Sequence, residues 1–269
     1  MRFLRRILLL VVLLAAFFYW QNFTVQADHI SVKCDGLPSR FEGLRIVQIS
    51  DLHGRSFGED NEKLLSAVKE AEPDMLCITG DLFNTAEQMR SLLPFLHKLC
   101  EIVPTYYVTG NHEWQAENLH ETLAQMEAVG VQVLRNEYVH LGEGFVIAGV
   151  DDPCGPYDQK TPEQLVGEIH AEVGEESFIV MLDHRNDRLE LWAELGVDLV
   201  LSGHCHGGVV RLPFVGGLFG TKRELFPDYD AGLYRHGRTQ LYVSRGLGYS
   251  RVHLRLFNRP HLPVLTLES

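Results

Sequence analysis

Residues 44–53 read LRIVQISDLH: an apolar, β-branched run that stops at a serine and is followed at once by Asp51 and His53. A short run of this kind, bounded by polar residues, predicts a buried strand, here Leu44–Ser50. The same arrangement recurs along the chain. Met75–Thr79 runs into Gly80-Asp81, and Thr105–Thr109 into Gly110-Asn111-His112-Glu113. Phe178–Leu182 runs into Asp183-His184, and Leu199–Ser202 into Gly203-His204-Cys205-His206. Phe145–Val150 reads as one more strand. Helical patterns fall between them at Glu59–Ala71 (apolar stripe Leu64, Leu65, Val68), Thr85–Cys100, Gln115–Ala128 (stopped by Gly130), Pro162–Val173 and Arg188–Leu195. Such alternation predicts a layered α/β architecture. The tail Leu241–Leu267 reads as further strands with turns at Gly246, Gly248, Pro260 and Pro263, and Gly216-Gly217 mark a flexible loop within Val209–Gly220.

The residues at the strand ends are metal-ligand types. In open α/β sheets functional groups gather beyond the carboxyl ends of strands, where loops converge without breaking the ladder. Asp51 and His53 are spaced i, i+2, as are His204 and His206, so extended backbone would project each pair from one face. Glycines at 80, 110 and 203 let the chain turn sharply. Mixed imidazole, carboxylate and amide donors suit manganese, iron or zinc rather than calcium. Singly, each has a plainer reading: Asp51 or Asn111 as a turn former, His112 as a structural imidazole, Cys205 packed opposite its neighbours. It is their joint occurrence in five successive strand-end segments that points to a metal site.

Composition sets bounds on the function. The 269 residues are 45% hydrophobic and 22% charged, which excludes a disordered chain, a collagen-like repeat and a polytopic membrane protein. The net charge of −12 disfavours a nucleic-acid partner. Cys34, Cys77, Cys100, Cys154 and Cys205 show no disulfide-framework or zinc-knuckle spacing. Between Gly203 and His261, however, nine basic residues (Arg211, Lys222, Arg223, Arg235, Arg238, Arg245, Arg251, Arg255, Arg259) face only three acidic ones. That excess is either a solvated face or a surface turned toward anions or a membrane. Arg211 with Leu212, Pro213, Phe214, Val215, Leu218 and Phe219 suggests a greasy lip bearing one positive charge; the alternative is a loop packed over the core.

At the N-terminus Arg2, Arg5 and Arg6 precede the apolar run Ile7–Trp20, and no charge follows until Asp28. The stretch is long enough to span about 30 Å of hydrocarbon as helix, with Phe17, Phe18, Tyr19 and Trp20 at its far end. Residues 1–27 are therefore expected to form a membrane anchor and 28–269 a single domain. The arginines stay cytoplasmic, which places the domain outside. A cleaved secretory peptide, ending at Val25-Gln26-Ala27, is the alternative.

The series Asp51-Leu52-His53, Gly80-Asp81, Gly110-Asn111-His112-Glu113, His184 and Gly203-His204-Cys205-His206 resembles the calcineurin-like metallophosphoesterases. SGHCHGGVVRLP (202–213) and LYVSRGLGYSRVHL (241–254) are similar to the membrane-associated or exported bacterial, YkuE-like branch. The resemblance implies a four-layer α/β/β/α sandwich of two mixed sheets flanked by helices. It also implies two divalent metal ions, manganese being expected and iron or zinc the alternatives. Asp51, His53 and His206 would hold the first, Asn111, His184 and His204 the second, with Asp81 bridging and His112 as the catalytic histidine. Arg185-Asn186-Asp187 departs from relatives that carry a proline soon after the lone histidine. The expected activity is hydrolysis of a phosphate ester or pyrophosphate, on a phosphorylated small molecule or an envelope or lipid-linked phosphate. A UDP-2,3-diacylglucosamine-type pyrophosphate is the second substrate reading, and a non-catalytic metal-binding scaffold the reading of another class.

Overall fold

The computed structural model describes residues 1–208, 210–221, 224–249 and 254–269. Lys222, Arg223 and Arg251, and parts of the 202–213 and 241–254 stretches, lie outside the described residues. The chain runs α1 (Arg2–Phe23), β1 (Gln26–Lys33), β2 (Arg45–Ile49), α2 (Glu62–Glu70), β3 (Met75–Thr79), α3 (Ala86–Cys100), β4 (Thr105–Val108), α4 (Leu119–Ala128), β5 (Gln132–Val133) and β6 (Glu137–Gly142). It continues through β7 (Phe145–Gly149), α5 (Pro162–Glu172), β8 (Phe178–Leu182), α6 (Leu189–Glu194), β9 (Leu199–Ser202), β10 (Arg211–Leu212), β11 (Gly216–Gly217), β12 (Gly232–His236), β13 (Thr239–Val243) and β14 (His261–Glu268).

Two six-stranded mixed sheets, ordered β1-β14-β2-β3-β4-β5 and β12-β13-β9-β8-β7-β6, pack face to face. Val32, Ile46, Cys77 and Tyr106 of one meet Phe145, Ile147, Phe178, Leu199 and Tyr242 of the other in the inner core. The outer face of the first sheet is covered by Leu64, Val68, Leu92, Phe95, Leu96, Leu123 and Met126 of α2–α4. The outer face of the second is covered by Leu165, Val166, Ile169, Leu189 and Trp192 of α5 and α6. Each large side chain so buried contributes roughly 1.5–3 kcal/mol. The result is the four-layer α/β/β/α sandwich. Strands β2, β3, β4 and β7, β8, β9 are buried at nearly every position because both faces are covered, hence their continuous apolar runs.

Several details differ from expectation. The helix over residues 115–128 starts only at Leu119, because a 3-10 turn at Glu113–Gln115 and the left-handed Asn118 (φ 56°) precede it. Pro263 makes no turn; it lies in β14 opposite Asp28 of β1, one residue before pairing with β2 begins at Val264. Gly216-Gly217 is the return strand of a small hairpin with Arg211-Leu212, pressed against the backbone of Gly207 and Gly208. Arg211, Arg235, Arg238 and Arg245 pair with Asp230, Asp35, Asp198 and Asp28, and Arg255 is buried. Much of the basic excess is thus neutralised inside the molecule.

The lip residues Leu212, Phe214, Val215 and Phe219 are exposed rather than packed over the core. At the other end, β1 begins at Gln26, inside the stretch assigned to the anchor, and α1 leads straight into it. The exposed, apolar α1 has a mean hydropathy of 2.0 over its most apolar stretch and is long enough to cross a bilayer.

Candidate metal centre

Because β2, β3 and β4 run parallel, as do β8 and β9, their carboxyl ends open on one edge of the sandwich. There the chain adopts backbone that L-residues avoid. Asp51 (φ 51°), His53 (51°), Asp81 (49°), His204 (66°) and His206 (51°) all lie in the left-handed region. The spacing rule therefore brought the right residues together for the wrong reason: neither pair is extended. Each such residue costs of order 1 kcal/mol and persists only where neighbours over-determine it. Here Asp51 N–H donates to Gly80 O (3.0 Å), His53 N–H to Asp81 O (2.9 Å), and Gly203 N–H to His184 O (3.1 Å). His204 N–H donates to the Asp51 carboxylate (3.1 Å) and His112 N–H to Asp81 Oδ1 (2.9 Å). Of the three glycines, only Gly80 serves by its positive φ (83°). Gly110 and Gly203 serve by closeness, since a Cβ would fall 2.3 Å from Asp81 Oδ1 or 1.9 Å from Ser50 Oγ.

These turns converge the side chains. Nε2 of His53 and Nε2 of His206 are 3.2 Å apart, and His206 Nε2 is 3.5 Å from Asp51 Oδ1. Asp81 Oδ2 faces three imidazoles: His184 Nε2 at 3.4 Å, His53 Nε2 at 3.7 Å and His112 Nε2 at 3.9 Å. His204 Nδ1 lies 3.1 Å from His184 Nε2. Asp51/His53/His206 form one group able to hold an ion, Asp81/His184/His204 a second and His53/Asp81/His112 a third, donor atoms within 4.8 Å of one another in each. Asn111 Oδ1, between Gly110 and His112, is buried with no hydrogen-bond partner. A buried carbonyl oxygen without a partner, beside clustered donors, fits a cation ligand.

The surroundings orient the rings. His53 Nδ1 faces Asn84 Oδ1 (2.9 Å) and His184 Nδ1 faces Thr79 O (2.8 Å), both acceptors, so each ring donates from Nδ1 and turns its Nε2 toward the cluster. Electrostatics point the same way. Burial opposes the charge of Asp81, yet His184, His53 and His112 hold its carboxyl well below the usual range. Burial likewise opposes a proton on His184, yet Asp81 holds that ring up at about 10. Burial pushes His206 well below its usual value and, with His184 and Arg185, pushes His204 to about 3. Burial raises Asp51.

Three supporting groups had no role assigned from the sequence, although Glu113 and Arg185 lie in the segments it singled out. Glu113, fully buried, accepts from the amides of Asp81 (3.0 Å), Leu82 (2.6 Å) and Gly110 (2.8 Å), tying the β3 and β4 turns together. Its place directly after His112 was the available signal. Asn84 grips His53 at ring and backbone. Arg185 forks onto Asp152 (2.6 and 2.9 Å) and donates from Nη1 to His204 Nε2 (3.0 Å), so the residue that replaces the expected proline environment lies at the rim.

Residues 44–208, holding every one of these candidate ligands, match the family model for calcineurin-like phosphoesterases. The chain belongs to that family. The uncharacterized metallophosphoesterase YkuE of Bacillus subtilis is 30% identical over 262 residues, covering 93% of this chain and 88% of YkuE. An uncharacterized metallophosphoesterase of Aquifex aeolicus is 32% identical over 269 residues, 97% of this chain and 98% of its own. The Bos taurus transmembrane protein with metallophosphoesterase domain is 29% identical over 256 residues; the match covers 89% of this chain and 56% of that protein. Among solved structures, the sulfate thiohydrolase SoxB of Thermus thermophilus shares the fold, with a TM-score of 0.52 at 14% identity over 86% of this chain and 57% of SoxB. As a calcineurin-like phosphoesterase the chain is a phosphoester hydrolase, and its clustered donors are those of a metal-binding member.

Proposed function

We propose that this phosphoesterase works with two divalent cations on a phosphate ester or anhydride presented at a membrane outside the cytoplasm. The supporting observation is the pair of donor groups, Asp51/His53/His206 and Asp81/His184/His204, beside the orphaned Asn111 oxygen. Asp51, His53 and His206 would hold one ion and Asn111, His184 and His204 the other, with Asp81 between them. The nitrogen and oxygen donors suit manganese, iron or zinc, and manganese is the ion expected from the family resemblance. Two bound cations supply Lewis-acid charge to a phosphoryl oxygen and acidify the attacking water.

The protein's own groups do the rest. Burial lowers His112 and keeps the ring neutral near pH 7, so it serves as a hydrogen-bond donor to charge growing on the phosphoryl or leaving oxygen. Its half-exposed edge leaves room for substrate, and the perpendicular His53 ring (4.7 Å between centroids) fixes its tilt. The exposed apolar α1 supports a membrane setting, and with it a lipid-linked or other envelope phosphate.

The test is metal content by plasma emission and p-nitrophenyl phosphate and phosphodiester hydrolysis, with and without chelator, for the parent and Asp81→Ala. The parent should lose activity to chelator and regain it with Mn²⁺, while Asp81→Ala should hold neither metal nor activity. A parent inert under every divalent ion would favour the scaffold reading, and an Asp81→Ala enzyme as fast as the parent would refute the bridging role.

A further inference from the structure

Past His206 the chain builds a small irregular lobe. The β10–β11 hairpin bridges to the C-terminal segment at Val210–Leu256, Arg211 N–H donates to Leu256 O (3.2 Å), and Phe226 N–H donates to Leu218 O (3.1 Å). Its outer surface exposes Phe214, Val215, Phe219, Leu225, Phe226 and Phe257, with Thr221, Glu224 and Asp228 as its exposed polar residues among those described between 214 and 228. Phe214 (φ 68°), Phe226 (54°) and Phe257 (51°) also sit in left-handed backbone. Bulky side chains are true outliers there, and glycine or asparagine would make each turn at little cost. Strained backbone that turns phenyl rings outward has no rationale in water.

The lobe is continuous with α1. Phe257 packs on Phe17 with ring centroids 5.8 Å apart, and Arg259 stacks on Trp20 at 4.7 Å while donating to Thr24 Oγ1 (2.8 Å) and Val25 O (2.9 Å). Helix geometry then sets the depth. From Arg2 to Phe23 the whole of α1 rises about 32 Å, just enough for a hydrocarbon core of about 30 Å. If the level of Phe17 marked the water boundary, the helix that remained would be shorter than a span needs. The Phe257 side of the lobe must therefore sit about 9 Å below the helix end, within the depth reached by interfacially bound apolar faces.

We propose that this lobe is a membrane-docking surface, its phenylalanines seated in the acyl–headgroup boundary that α1 enters; this rests on the membrane setting proposed above. The seat is wired to the centre. Asn258 Nδ2 donates to His206 O (2.8 Å), Arg211 Nη1 to Gly207 O (3.0 Å) and Phe219 N–H to Gly208 O (3.2 Å). A phosphoester can thus reach the ligand turn while its acyl chains stay in the bilayer.

The experiment reconstitutes the full chain in phosphatidylcholine vesicles containing brominated lipid, and compares Phe214→Trp with Tyr157→Trp, an exposed aromatic on the β7–α5 connection. Native Trp20 reports whether α1 itself has entered the bilayer. The tryptophan at 214 should emit blue-shifted light and lose most of its added fluorescence to bromine, while that at 157 should do neither. Equal, water-like emission from both, with Trp20 quenched, would overturn the docking surface and leave the anchor standing. Phe214→Ser should hydrolyse p-nitrophenyl phosphate like the parent but lose roughly tenfold on a diacyl phosphate ester in vesicles. A chain quenched at 214 yet inert on both esters would keep the membrane seat and reject the catalytic reading.

Discussion

Glu113 and His112 are adjacent, yet they carry opposite burdens. Glu113 gathers four amide N–H groups, those of Asp81, Leu82, Phe83 and Gly110, and thereby aims Asp81. Burial, with Asp81 nearby, raises it to about 7, so its charge is retained at a cost. In Glu113→Gln one oxygen remains to accept and the amide NH₂ meets N–H donors, so metal affinity should fall about 10- to 100-fold, read by competition with a chelator. His112→Asn should instead retain both metals and lower kcat by about 10²- to 10⁴-fold, since a donor to the reacting phosphate is lost while no ligand is. The clustered donors were legible because imidazoles and carboxylates recur at strand ends. Glu113 and Asn84 were not, because a group that acts by accepting backbone amides has no residue signature beyond its neighbours.

At the level of the element, strands buried on both faces were legible as continuous apolar runs, and Met75–Thr79 and Phe178–Leu182 fall where periodicity put them. Strands β1, β6 and β12 lie at sheet edges and are only partly buried, so their mixed polarity gave no run to read. Where β1 meets β14, His261 accepts at Nδ1 from Arg245 N–H (3.3 Å) and donates from Nε2 to Asp28 (3.1 Å). Burial lowers this ring to about 4, whereas the unfolded chain titrates near 6.5. Below that value the unfolded state binds the extra proton, so stability is full above pH 6.5 and drains as pH falls toward 4. From about pH 7.5 to 5 the loss assigned to this ring is about 2 kcal/mol. Urea unfolding at both pH values should show His261→Gln with a correspondingly smaller decline than the parent. Asp28, held at about 2 chiefly by its bond from His261, titrates below that window.

For the whole molecule, the least foreseeable feature is that the last turn of the apolar helix α1 is built into the domain that carries the clustered donors. Asn22, in the last turn of α1, is buried and pairs with Arg255 in both directions: its Nδ2 donates to Arg255 O (3.2 Å), and Arg255 N–H donates to its Oδ1 (2.8 Å). Arg55 donates to Asn22 O and, from its other nitrogen, to Leu247 O (3.0 Å). Leu247 and Gly248 in turn donate to Ser50 O and Asp51 O (3.0 and 2.7 Å). Hydropathy marked α1 as a passive span because contacts 233 residues apart leave no trace in local pattern. Asn22→Ala should lower unfolding stability by about 1–3 kcal/mol, since two buried backbone groups lose their partner, and a denaturant titration of the detergent-solubilised chain would register it. The register at Ala27 has a consequence of its own. Ala27 lies opposite Leu262 within the β1–β14 ladder, so the peptide a leader peptidase would need is already woven into the sheet. A cut there would strip Gln26 and Ala27 from a ladder that pairs them with His261 and Leu262, whereas a cut within α1 would free only its distal turns and leave a stub woven into the sheet.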